Sequence, residues 1–120
     1  MQNNNKKRDC LPERYQLLLQ QLGTGKQNSI TIDKIIEKTN GAFNKRDIHA
    51  IKHDLIMNWG YSIGGSRFGE HRGLYLIANK EELVDALRPL ENEANTTLKL
   101  HRKLSENFDK YLDNEEENVG

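Results

Sequence analysis

Residues 44–77, NKRDIHAIKHDLIMNWGYSIGGSRFGEHRGLYLI, constrain the fold more than any other part of the chain, because they read as a helix, an abrupt glycine stop and a tight β-hairpin. Asn44 is a good helix N-cap, and Ile48, Ile51 and Leu55 recur at three- and four-residue steps. One face of the helix is therefore apolar, and Lys45, Arg46, His49, Lys52 and His53 lie mainly away from it. Gly60 supplies the stop, residues 61–63 and 74–77 read as two strands, and the loop between them holds four glycines with Arg67, His71 and Arg72. A cationic loop beside a cationic helix face favours a phosphate-rich partner; an ordinary solvated helix and loop is the competing reading.

A chain of 120 residues has room for one small domain and an appendage. A large enzyme cleft is not expected. The formal net charge of zero conceals an asymmetry: residues 1–78 carry 12 Lys+Arg against 7 Asp+Glu, and residues 79–120 carry 6 against 11. A front of +5 and a back of −5 would turn the front toward a polyanion, although surface charge of no special purpose could give the same counts. The single cysteine, Cys10, has no partner for an intramolecular disulfide or a CxxC zinc site, which fits a reducing compartment. No apolar run approaches the ~20 residues of a membrane span, and the opening MQNNNKKRD lacks the apolar centre of a signal peptide. A soluble protein of the cytoplasm is expected.

Upstream, Tyr15, Leu18, Leu19 and Leu22 share one side of a helix over 13–22 that Gly23 stops. Ser29, Ile30 and Thr31 form a short strand or extended approach, and Ile32, Ile35 and Ile36 mark a second helix ending near Thr39. Asn40-Gly41 breaks it, Phe43 plugs the corner, and the two short helices sit across a turn as a helix-turn-helix requires. Downstream, Asn79 with Glu82 three residues on announces another helix. Leu87, Leu90, Ala94, Thr97, His101, Leu104, Phe108 and Tyr111 then alternate by three and four, the spacing of a coiled-coil seam. Pro89 should kink or split this helix, giving a short segment packed on the domain and an outward-pointing one.

Taken together, the helix, short strand, helix-turn-helix and glycine-rich wing resemble the winged helix-turn-helix domains related to the amino-terminal domain of biotin-operon repressors. The closer resemblance is to small helix-turn-helix proteins encoded by bacteriophages and prophages of Gram-positive bacteria. It rests on the wing GYSIGGSRFGEHRGLYLI, lengthened by the insert FGEHR, and on NKEELVDALRPLENEA after it, and covers roughly residues 14–104. The implied fold is α+β, a winged helix-turn-helix of three helices plus a β-hairpin wing with a C-terminal helical extension. The expected organisation is a flexible N-terminal tail (1–12), the winged domain (13–78), a helical dimerisation segment (79–112) and an acidic tail (113–120).

The resemblance implies double-stranded DNA as partner, in a bacterial host cell. Lys45, Arg46, His49, Lys52 and His53 would face the major groove, while Arg67 and Arg72 would touch phosphate or the minor groove. Base-edge chemistry allows this independently, since an α-helix fits the major groove and a narrow wing can carry a guanidinium into the minor groove. Asp47 and Asp54 would reduce the positive field of the helix, so one domain should bind modestly and a dimer would help. Leu90, Ala94, Leu104, Phe108 and Tyr111 are the expected dimer contacts; packing of the tail back over Tyr15 and Leu19 is the rival arrangement.

Other constellations were weighed against this reading. His49 and His53 have a spacing that can hold zinc, but no zincin glutamate or nearby cysteine accompanies them, so no metal is expected. Trp59 and Tyr61 can stack on bases, yet their place at the helix–hairpin junction favours packing. Glu81, Glu82 and Asp85 cluster without a His or Ser beside them, so neither a catalytic site nor a cofactor or small-molecule substrate is expected. The resulting expectation is a non-catalytic phage or prophage DNA-binding protein, a transcriptional regulator or an accessory factor in replication or excision. The alternative is a winged-helix module that binds a host or phage protein, with residues 115–117 meeting a basic partner.

Overall fold

The computed structural model describes residues 10–119 except 68 and 70, with side chains as far as residue 115. The expected tail over 1–9, Gly120, the wing residues Phe68 and Glu70, and the side chains of Glu116 and Glu117 lie outside this description. The fold is α+β. In chain order it comprises α1 (Glu13–Gln21), a 3-10 turn (Lys26–Asn28), α2 (Ile32–Lys38), α3 (Lys45–Trp59), β1 (Ile63–Ser66), β2 (Gly73–Leu76) and α4 (Lys80–Val119). Helices followed by a two-stranded antiparallel hairpin are compatible with a winged helix.

The core forms where the apolar stripes of α1, α2 and α3 meet the hairpin. Leu18, Ile35, Ile48 and Leu55 are wholly buried, and Phe43 fills the corner between α2 and α3 as its position between two polar turns suggests. The Arg14 guanidinium covers the Phe43 ring, 5.2 Å from its centroid. Trp59 and Tyr61 are half-buried against the core, and Trp59 meets Tyr15 edge-on at 6.2 Å. Packing, rather than base stacking, accounts for both.

Local chemistry fixes the ends of α3. Asn44 accepts from the Asp47 amide at 2.7 Å while Asp47 accepts from the Asn44 amide at 3.1 Å, a reciprocal cap that satisfies two donors a helix start leaves open. At the other end Gly60 sits at φ +78, and Tyr61 donates to the Leu55 carbonyl at 3.1 Å. That bond holds Tyr61 in the helix cap. The first strand therefore starts at Ile63 rather than at 61, and the second runs 73–76 rather than 74–77, with Ile63 opposite Leu76 and Ser66 opposite Gly73.

Residues 29–31 make an extended approach, not a strand. Ile30 forms an isolated antiparallel bridge to Leu74, donating at 3.0 Å and accepting at 2.8 Å. Beside that bridge Gly73 adopts φ +116, and any Cβ there would overlap the Ile30 carbonyl oxygen. Gly64 faces the buried Tyr75 ring, which a Cβ would approach to 2.6 Å. The hairpin is thus pressed against its neighbours at two glycines.

The start of α4 is tied to the domain through Glu82. Asn79 accepts from the Glu82 amide at 2.9 Å, and the Glu82 carboxylate accepts from the amides of Lys26 at 2.9 Å and Ala78 at 2.8 Å. Lys26 also approaches Asp85 at 3.8 Å. These donors, the Lys26 amide first, hold the Glu82 pKa below its ordinary 4.5. A carboxylate whose folded pKa is depressed stabilises the fold fully above its unfolded value, and that contribution is lost as pH falls through the folded one. Glu82→Gln should therefore lower stability at neutral pH, with the gap to wild type closing as urea titrations are repeated below pH 4.5.

Pro89 does not split α4. The helix runs through it to Val119, and it includes the stretch from 113 that sequence pattern assigns to a tail. Proline removes one hydrogen bond and crowds the preceding turn, at about 3 kcal/mol. Good helix formers on both sides, Leu87 and Arg88 before it and Leu90 and Glu91 after, make propagation through that defect cheaper than a break. By contacts the chain divides into two compact units, Met1–Ala86 and Leu87–Gly120.

Candidate nucleic-acid interface

The buried stripe of α3, Ile48, Ile51 and Leu55, turns Lys45, Arg46, His49 and His53 outward, and all four are exposed. Lys45 lies 3.7 Å from Asp33 of α2, a pair so exposed that water screens it and a stronger anion can replace it. Lys52 departs from its expected place. It is half-buried, and a Cβ on Gly65 of β1 would stand 3.6 Å from its ammonium, so the hairpin lies over this lysine. Burial, and then the charge of Arg67, pushes its pKa below 10.5. The fold thus brings a cation of α3 and a cation of the wing into one electrostatic field.

Both acids on α3 are engaged within the molecule. Asp47 closes the N-terminal cap and pairs with Arg14 at 3.2 Å, and the Asn44 amide is the largest influence holding its pKa low. Asp54 accepts from the Tyr15 hydroxyl at 2.6 Å, from the Asn58 amide and from the Trp59 indole at 3.4 Å. The Tyr15 hydrogen bond depresses the Asp54 pKa and raises that of the phenol. Neither carboxylate is a loose surface charge, so the outward face of α3 is more positive than its composition suggests.

Arg67 and Arg72 are exposed on the connection between the strands. Arg72 and His71 also form one wall of an open cleft of about 590 Å³. Lys34 and Lys38 of α2 form the opposite wall, with Gln21, Ser29 and Thr31 among the residues between. Sequence pattern leaves Lys34 and Lys38 unassigned, although their four-residue spacing on the polar side of α2 is a readable sign that they share a face.

The expected dimer contacts Leu90, Ala94, Leu104, Phe108 and Tyr111 all lie exposed on α4, Leu104 at 68 % and Phe108 at 57 %. Phe108 and Tyr111 stack on one another at 6.0 Å. Leu98, Leu100 and Leu112 are exposed as well, so the apolar surface is broader than a two-position seam.

Of the acids near the start of α4, Glu82 and Asp85 are used in the tie to the 3-10 turn, which leaves that cluster a structural part. Among the described residues no group of three or more His, Cys, Asp or Glu side chains is arranged to hold a metal ion, and His49 and His53 stand as an exposed pair on α3. No helix among the described residues is long and apolar enough to cross a membrane. No protein-family model, curated protein or solved structure matches the chain.

Proposed function

We propose that this chain is a non-catalytic double-stranded DNA-binding protein of winged helix-turn-helix type that acts as a homodimer. Its α3 enters the major groove with Lys45, Arg46, His49 and His53, and its wing contacts the backbone or minor groove with Arg67 and Arg72. The observation that carries this reading is the half-buried Lys52 beneath β1, within the field of Arg67. Two like charges so placed raise each other's energy, and a phosphate close to both relieves that repulsion. Resemblance to phage and prophage helix-turn-helix proteins makes a transcriptional regulator, or an accessory factor in replication or excision, the matching role.

The experiment replaces Lys45 and Arg46 by alanine, two exposed positions whose loss leaves the core intact. Binding to mixed-sequence duplex at low salt should weaken by about 2–6 kcal/mol if each contributes roughly 1–3 kcal/mol, while the thermal midpoint stays within a degree or two of wild type, as expected of surface changes. Unchanged binding would remove α3 as the reading element. A chain that binds no duplex yet captures a protein partner through the same surface would favour the interaction-module reading.

A further inference from the structure

We propose that the cleft between α2 and the wing seats a phosphate of the DNA backbone, held by Lys34 and Lys38 on one side and by His71 and Arg72 on the other. The inference rests on the DNA-binding reading, and extends it from α3 to a second, separately positioned contact. No carboxylate lines the cleft, and Ile30 is the sole apolar side chain among its lining residues. Its volume lies within the roughly 300–1,000 Å³ of small-ligand sites, but such sites are mainly apolar and this one is not. Cations with amides and hydroxyls around them match a phosphodiester, whose two charged oxygens accept from a guanidinium fork or from ammonium groups.

The two walls are brought together by the fold. Lys34 and Lys38 follow directly from the Ile30 bridge, and His71 and Arg72 immediately precede Gly73 and Leu74, its other half. The paired 2.8 and 3.0 Å hydrogen bonds between Ile30 and Leu74 set the distance between the walls, and the close approach of Gly73 to Ile30 prevents them from spreading. The Thr31 hydroxyl accepts from the Lys34 amide at 3.2 Å, which leaves its own proton to donate into the cleft. Glu37 touches Lys34 at 3.8 Å as an exposed neighbour on the same helix, an interaction water screens and a phosphate can displace.

The test compares the full chain with its Lys34→Gln/Lys38→Gln variant, and separately with Arg72→Gln, in binding to mixed-sequence duplex across salt. Each lost phosphate contact should flatten the plot of log affinity against log salt by about 0.9, so the double variant should lose about two units of slope and bind all sequences more weakly in proportion. Inorganic phosphate, titrated alone and followed through the His71 ring and the Lys34 and Lys38 amides by NMR, should perturb the wild type and not the double variant. If the variant binds duplex with the wild-type slope, the proposal is overturned while the α3 reading stands. If the wild type binds no duplex but inorganic phosphate still perturbs the cleft, the occupant is a small phosphorylated molecule; the backbone assignment then fails together with the DNA reading.

Discussion

Gly73→Ala is expected to be the most destabilising single substitution in the winged unit. Its φ of +116 is one that side-chain-bearing residues rarely adopt, and the added methyl would overlap the Ile30 carbonyl oxygen and crowd the Thr31 amide. Strain alone costs about 1–3 kcal/mol. Relieving the clash would separate Leu74 from Ile30 and break two backbone hydrogen bonds, each worth about 1 kcal/mol. The total of roughly 3–5 kcal/mol would lower the thermal midpoint by more than ~10 °C in a domain of this size. Gly41→Ala is the control, since Gly41 has φ +77 with open space around it and carries the strain without the clash. A Gly73→Ala midpoint no lower than that of Gly41→Ala would show that the hairpin does not press on residues 30–31.

Leu104→Glu/Phe108→Glu is expected to convert a dimer to a monomer without unfolding the winged unit. Burying one large apolar side chain is worth roughly 1.5–3 kcal/mol, and a symmetric dimer loses four of them, so even the lower figure totals about 6 kcal/mol and shifts the dissociation constant by about four decades. Leu98, Leu100 and Leu112 widen the same apolar surface, and a long helix with this much of it exposed gains most by pairing. Light scattering at tens of micromolar should give twice the chain mass for wild type and the single mass for the variant. A monomeric wild type would eliminate the dimer.

Local chemistry is what the sequence makes readable. The Asn44–Asp47 cap, the Ile48, Ile51 and Leu55 stripe and the Gly60 stop each lie within a few residues of one another, so α3 could be bounded from its own segment. The Asn79–Glu82 start of α4 was readable for the same reason. What depends on segments far apart was not. Lys52 has the spacing of a solvated residue on α3, and only the hairpin laid across it withdraws its ammonium from water. Lys34 and Lys38 meet His71 and Arg72 solely because Ile30 bridges to Leu74. Tyr61 was read as strand because its backbone role in the helix cap leaves no mark on its side-chain type. Pro89 misled in the opposite sense: its local rule is strong, but the helix-forming residues on both sides outweigh it.

Equilibrium binding of the full-length chain to mixed-sequence duplex, measured between about 50 and 200 mM salt, tests the DNA-binding claim most directly. Lys45, Arg46, Lys52, Arg67 and Arg72 supply the positive side chains of the proposed surface, and at about 0.9 per phosphate contact the slope of log affinity against log salt should be roughly −4 or steeper for each winged unit. A slope near zero, or no binding at the lowest salt, would contradict it.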